Sequence, residues 1–495
     1  MMRFLYIVKE KKIIFYYKCA AACKRMIALI LLCFLYVHAN SQDTLVLKPN
    51  NEISLNPDSN HHLTLTTTAS KKRFWRASGE LMLAQIIPWS YNRYIRHAEF
   101  AKISFKSIGH NLKPSSWTWD DNNFVTNQFA HPYQGNLYFS SFRSNGYSFW
   151  QAAPAAFAGS FMWEVAGETH PPAPNDFINT GMGGIALGEM TYRLSNLIVN
   201  NKQKGFKRQA NEVLAFLVNP MNGFNRIIDG KWGKVMENSA DRMPSKLLGE
   251  FDLGGRRFSE RGEDDIINKG KNEWYFRLRF NYGDPFVDRK KPFSNFSMVL
   301  EGGNNDTAKI NTLRVSGFLH GWELSEMNKK NQHVINVTAN YDYYHNSSFY
   351  YGGQSVNMSL LSHFKTGKNT VIQTLAGAGV IALAAVQDEY LYYGEGRNYD
   401  YGPGVNLLAD ASLIVANKFL LRVHYRGGWF TTVNGNESTH FLNTVTSEMR
   451  YLFGKRISLG TEWGHFNLKG YFKDYNDVSR SYPYLRISAG YKLGL

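Results

Sequence analysis

Tyr484-Leu-Arg-Ile-Ser-Ala-Gly-Tyr-Lys-Leu-Gly-Leu495 decides the fold. Leu485, Ile487, Ala489, Tyr491, Leu493 and Leu495 fall on one face of an extended segment, and Arg486, Ser488, Gly490, Lys492 and Gly494 on the other. Strand side chains alternate between faces, so this segment has one apolar side and one polar side. A chain that stops where such a strand stops reads as the closing strand of an outer-membrane β-barrel.

The same period of two recurs upstream. Trp274, Phe276, Leu278, Phe280 and Tyr282 alternate with Tyr275, Arg277, Arg279 and Asn281. Ile335, Val337 and Ala339 alternate with Asn336, Thr338 and Asn340, and Ile457, Leu459, Thr461 and Trp463 with Ser458, Gly460, Glu462 and Gly464. Twelve strands are predicted: 247–257, 274–282, 292–301, 308–318, 332–344, 350–363, 369–380, 404–415, 418–429, 438–452, 456–466 and 482–494. Short links at 366–369, 416–417 and 453–455 alternate with longer loops at 381–403, 430–437 and 467–481. That asymmetry suits short periplasmic turns and longer external loops, whereas a soluble β-sandwich has no reason to show it. Leu278, Val337, Val423, Leu459 and Ile487 are expected to face lipid, and Arg277, Thr338, Arg422, Ser458 and Ser488 to face inward.

Residues 72–245 follow a helical period instead, with helices expected over 75–95, 147–168, 176–200 and 206–218. The fold class is therefore α+β: a mainly α N-terminal domain followed by an antiparallel transmembrane β-barrel of about 12 strands. The expected segments are a signal peptide at 1–41, a polar, disordered lead-in at 42–70, a helical domain at 71–246 and the barrel at 247–495. Lys24-Arg25-Met26, the apolar run Ile27–Val37 and Ala39-Asn40-Ser41 make up the signal layout, with 1–25 reading as an extension from an upstream start. Cys19, Cys23 and Cys33 all precede the expected cleavage site, so thiolate chemistry and disulfides are not expected in the mature chain.

The formal charge of +16 falls to about +10 once residues 1–41 are set aside. An exported chain without a nucleic-acid motif makes anionic outer-membrane lipid or lipopolysaccharide the expected partner, and nucleic acid an unexpected one. The expected location is the outer membrane, with the helical domain periplasmic or inserted in the lumen. The expected role is envelope structure or small-solute passage, and the alternative is an envelope lipid or glycan hydrolase.

The least ordinary residues run from Trp117 to Arg193. Trp119, Asp120, Asn127, His131, Pro132, Gly135, Arg143, Gly146, Trp163, Glu164, Glu168, Asp176, Gly188 and Glu189 stand at unusual spacings of aromatic, amide and His-Pro elements. In this pattern the segment of about 70–230 resembles an uncharacterised bacterial family, domain of unknown function 3943, common in Gram-negative envelope proteins. The resemblance implies location and architecture and carries no established activity.

Glu164 and Glu168 lie one helical turn apart. With His131 they are the candidate catalytic residues, as a general acid/base pair. With His131 or His170 they also form a possible carboxylate–imidazole metal set. Ser148 and Ser160 are candidate hydroxyls. No established catalytic or metal motif is present, so neither a cofactor nor a dedicated metal site is expected. The opposing structural reading makes these charges buried pairs and caps, with Glu189 and Arg193 an i,i+4 pair and Asp176 a helix-start carboxylate. Thr180, Gly184 and Gly188 recur every four residues and predict close packing against another helix. Arg277, Arg279, Arg422, Arg426 and Arg486 are candidate pore-lining residues. The competing reading pairs them with Asp342, Glu448 and Glu462 in a charge ladder. His61-His62 is a weaker candidate metal pair.

Overall fold

The computed structural model describes residues 71–238, 242, 244, 246–259, 266–304, 309–324 and 331–493. The signal layout, the lead-in, His61-His62 and Leu495 lie outside the described residues. Twelve antiparallel strands close into a barrel, each paired with its chain neighbours and β1 with β12. They are β1 (Leu247–Phe258), β2 (Lys271–Tyr282), β3 (Phe296–Gly303), β4 (Ile310–Glu323), β5 (Asn331–His345), β6 (Tyr350–Lys365), β7 (Thr370–Gln387), β8 (Tyr399–Val415), β9 (Phe419–Thr431), β10 (Ser438–Phe453), β11 (Ile457–Phe472) and β12 (Val478–Leu493). Strands β7, β8, β11 and β12 run further into their long loops than the sequence predicts. In β7 a register shift between Ile381 and Ala384 absorbs the break in alternation and lets pairing with β8 continue.

The alternation sorts side chains as expected. Val423, Leu459 and Ile487 are exposed on the outer wall, while Thr338, Ser458 and Ser488 are buried inside. On the side of β1–β3 and β10–β12 the lumen is crossed by the strands' own side chains. Arg277 reaches Asp252 at 3.0 Å, Arg279 reaches Glu448 at 2.6 Å, Arg450 reaches Asp252 at 2.8 Å and Arg486 reaches Glu301 at 2.9 Å. Arg277 also pairs with Glu462. Arg277 and Asp252 are register partners on the adjacent strands β2 and β1, whereas the other four pairs join strands that are not neighbours, so those side chains meet across the interior. Towards the long-loop end, Phe258, Tyr344, Tyr351, Phe430, Leu442, Tyr482 and Tyr484 form an apolar layer above the ion pairs.

Before the barrel come α1 (Phe74–Ser90), α2 (Phe105–Asn111), α3 (His131–Arg143), α4 (Phe149–Ala166), α5 (Pro174–Ile178), α6 (Gly184–Ile198), α7 (Gly205–Val218) and α8 (Pro220–Ile228). Helices α2, α3 and α8 were not expected from periodicity. The predicted helix at 176–200 is α5 joined to α6 through a π-helical turn, Asn179–Gly183. A Cβ placed on Gly184 would lie 2.5 Å from Gly135 Cα, and one on Gly188 would lie 2.6 Å from the Phe139 ring. The Thr180, Gly184 and Gly188 face therefore packs on α3 at backbone contact.

The helical unit does not enter the lumen. It lies across the outer wall, along one line of register partners: Leu278, Leu300, Leu313, Tyr343, Gly352, Ala385 and Tyr401. These outward positions are buried or half-buried, and Leu278, Tyr343, Ala385 and Tyr401 join Phe124, Phe139, Phe149, Leu187 and Met190 in one core. Leu278 thus faces outward as predicted but meets helices instead of lipid. The lumen-inserted alternative is corrected because strand side chains occupy that space and the helices bury their apolar face on the wall.

Candidate functional site

A π-helical turn, Thr126–Ala130, runs directly into α3 at His131, with Pro132 as its next residue. Helix α4 carries Glu164 near its C-terminal end, and α5 carries Asp176 in its first turn. Packing of these three helices brings one ligand-type atom each of His131, Glu164 and Asp176 within 4.8 Å of one another. His131 Nε2 lies 3.7 Å from Asp176 Oδ2, and its Nδ1 lies 3.3 Å from Thr180 Oγ1. Glu164 Oε2 accepts from the Ala173 amide at 2.8 Å, and Asp176 Oδ1 accepts from Asn175 Nδ2 at 2.7 Å.

A shell of amides and tyrosines surrounds this group. Asn127 Nδ2 donates to Asp120 Oδ2 at 2.7 Å and to the Tyr399 hydroxyl at 2.7 Å. Asn175 Nδ2 also meets the Tyr401 hydroxyl at 3.0 Å, and Asn175 Oδ1 accepts from the Asp120 amide. Trp119 and Arg397 cover the Tyr401 ring at 5.2 and 5.0 Å. The outer wall of the barrel therefore supplies part of the site's surroundings.

Glu164 and Asp176 are almost fully buried. No Lys or Arg is within ion-pair distance of either among the described residues; the one basic side chain beside them is His131, 3.7 Å from Asp176. Burial raises the Glu164 carboxyl to about 8, with the Asp120 carboxyl adding to the rise. Burial, then the neighbouring carboxyls, pushes Asp176 well above the usual carboxylate range. Burial also lowers the His131 imidazole, against the pull of Asp120.

The other sequence candidates fall elsewhere. Glu168 is not one of the three converging groups; burial and then Glu164 push its carboxyl well above the ordinary range. His170 packs on Phe100. Ser148 caps α4 in a capping box with Gln151, and Ser160 donates to the Asp176 carbonyl. The hydroxyl beside His131 belongs to Thr180. Asp176 stands in the first turn of α5, the helix-start position expected of it, although its side chain caps no backbone amide. Glu189 does pair with Arg193, at 2.9 Å, and also with Arg143, at 2.7 Å.

In the barrel, Arg277, Arg279 and Arg486 are spent in the ion-pair layer, Arg422 pairs with Asp410 at 2.6 Å, and Arg426 pairs with Asp342. Arg277, Arg279, Arg426 and Arg486 thus join the ladder with Asp342, Glu448 and Glu462, whereas Arg422 pairs outside it and stays partly exposed. Tyr399 and Tyr401 were missed, although their spacing of two on the loop side of β8 was the available signal.

Residues 116–221 match the family described as Domain of unknown function (DUF3943). A comparison with curated proteins found no match. Among solved structures, the outer membrane channel DcaP of Acinetobacter baumannii is 11% identical, with 50% of this chain and 96% of that chain covered and a TM-score of 0.24. An outer membrane channel from Pseudomonas putida F1 is 12% identical over 52% of this chain and 100% of that one, with a TM-score of 0.27. The NanC porin is 11% identical over 48% and 98%, with a TM-score of 0.27.

Proposed function

We propose that this outer-membrane barrel is a closed scaffold that holds its helical unit in the plane of the membrane, where the unit works on or with envelope lipid, lipopolysaccharide included. The observation that carries this reading is the lumen crossed by Arg277, Arg279, Arg450 and Arg486 paired with Asp252, Glu301, Glu448 and Glu462. A wall whose interior charges are already paired across the barrel has little room for solute, which favours the envelope role over passage.

The placement of the helices supports the rest. They cover outward positions of the same parity as the lipid-facing ones, so they stand where acyl chains otherwise stand. Their own free surface is apolar: Trp75, Ile87, Tyr94, Ile95 and Phe105 are all more than half exposed. Among the described residues no helix is long and apolar enough to cross a membrane, which fits helices lying against the wall. Tyr399 and Tyr401 place the His131 site towards the long-loop end of the barrel, the external side when short turns are periplasmic. This reading replaces a periplasmic helical domain.

A hydrolytic role is the second reading, favoured by the convergence of His131, Glu164 and Asp176. The test reconstitutes the full protein in planar bilayers and in vesicles carrying a photoactivatable phospholipid. No steady conductance and lipid crosslinks on α1 are expected. A stable open conductance, or labelling of α1 by aqueous reagents alone, overturns the proposal.

A further inference from the structure

We infer that His131, Glu164 and Asp176 form a binding site for one divalent first-row cation of the Zn2+ or Mn2+ type. One imidazole and two carboxylates make a donor set that such ions accept. The spacing fits. Two donors, each about 2.1 Å from a tetrahedral ion, lie about 3.4 Å apart. His131 Nε2 and Asp176 Oδ2 are 3.7 Å apart, too far for a hydrogen bond and close to a shared-ion separation.

Each ligand is also held from behind, as metal ligands are. Thr180 Oγ1 lies 3.3 Å from His131 Nδ1, so the Nδ1–H tautomer can donate to it and leave the Nε2 lone pair on the Asp176 side for an ion. The Ala173 amide holds Glu164 Oε2, and Asn175 Nδ2 holds Asp176 Oδ1, so each carboxylate keeps one oxygen for the ion. Two carboxylates buried without a Lys or Arg need a compensating charge. Next to the site, Asn127 Oδ1 and Asn179 Oδ1 are buried acceptors without a donor among the described residues.

The inference does not depend on what the helical unit does with lipid, and its readout is metal. Full-length protein carrying His61→Ala and His62→Ala, folded in detergent and stripped with EDTA, is titrated with ZnCl2 and with MnCl2 by equilibrium dialysis. Its thermal melt is followed in parallel. One equivalent of at least one cation is expected to bind and to raise the melting temperature. Asp176→Asn and His131→Ala should weaken that binding by more than roughly ten-fold. Thr180→Val, which keeps shape and removes only the rear hydroxyl, should weaken it less while the stripped protein melts as before. Asp176→Asn replaces a buried carboxyl with an amide of the same shape, so its stripped form should melt no lower than stripped wild type. Sub-stoichiometric binding of both cations, or binding equal in wild type, Asp176→Asn and His131→Ala, overturns the site.

Discussion

The Tyr341 hydroxyl donates to the backbone carbonyl of Gln128. Tyr341 has the same parity on β5 as Val337 and Ala339, and Asp342 beside it points into the lumen to Arg426. A residue of the outer wall is therefore bonded to the π-helical turn Thr126–Ala130 that leads into α3, and the helical unit and the barrel share one buried core.

Cysteine labelling reads the wall directly. With Cys19, Cys23 and Cys33 replaced by Ser, Val423→Cys, Leu459→Cys and Ile487→Cys should react with a lipid-soluble maleimide. Leu278→Cys should stay unreactive until the protein is denatured, because helices cover it. Equal reactivity at 278 and 459 would place the helical unit away from the wall.

Gly184→Ala should destabilise the helical unit by about 1–3 kcal/mol, since the new Cβ meets the Gly135 backbone and backbone cannot rotate away. Gly109→Ala, with nothing within 4 Å of its Cβ position, is the control and should not destabilise. Thermal melts of both variants check this, and equal melts would refute the close approach.

Arg450→Ala should cost roughly 3–5 kcal/mol, because Asp252, Glu448 and Glu250 then lose a buried partner. The readout is the temperature at which the unheated gel band converts to the heated one. An unchanged conversion temperature would mean that the ion-pair layer contributes little.

Burial raises Glu80 on α1 to about 7, against the hydrogen bonds from Asn145 and Asn225. The unfolded chain ionises near the ordinary value of about 4.3. The neutral form is therefore the one the fold prefers. Stability is full below the ordinary value and falls as pH rises through about 7. Glu80→Gln should flatten that part of the decline in melting temperature between about pH 4 and 7. Parallel wild-type and variant profiles would show that Glu80 does not titrate in this window.

Much of this molecule was readable locally. Alternation depends only on residues two apart, so the twelve strands, the outward face of Leu459 and Ile487 and the inward face of Arg277 and Arg486 could be read from the chain. The i,i+4 pair Glu189–Arg193 and the small face at Thr180, Gly184 and Gly188 were local patterns of the same kind. Parity, however, says only that a side chain points outward. It does not say what waits there: Leu278 meets helices and Ile487 does not. Nor does spacing bring His131, Glu164 and Asp176 together, because they lie on three helices joined by turns that periodicity does not describe. Tyr399 and Tyr401 joined the site's surroundings only when β8 paired beyond its predicted start. Face is set by short-range backbone geometry, whereas contact and convergence are set by the closing of the barrel and the docking of the helices on its wall.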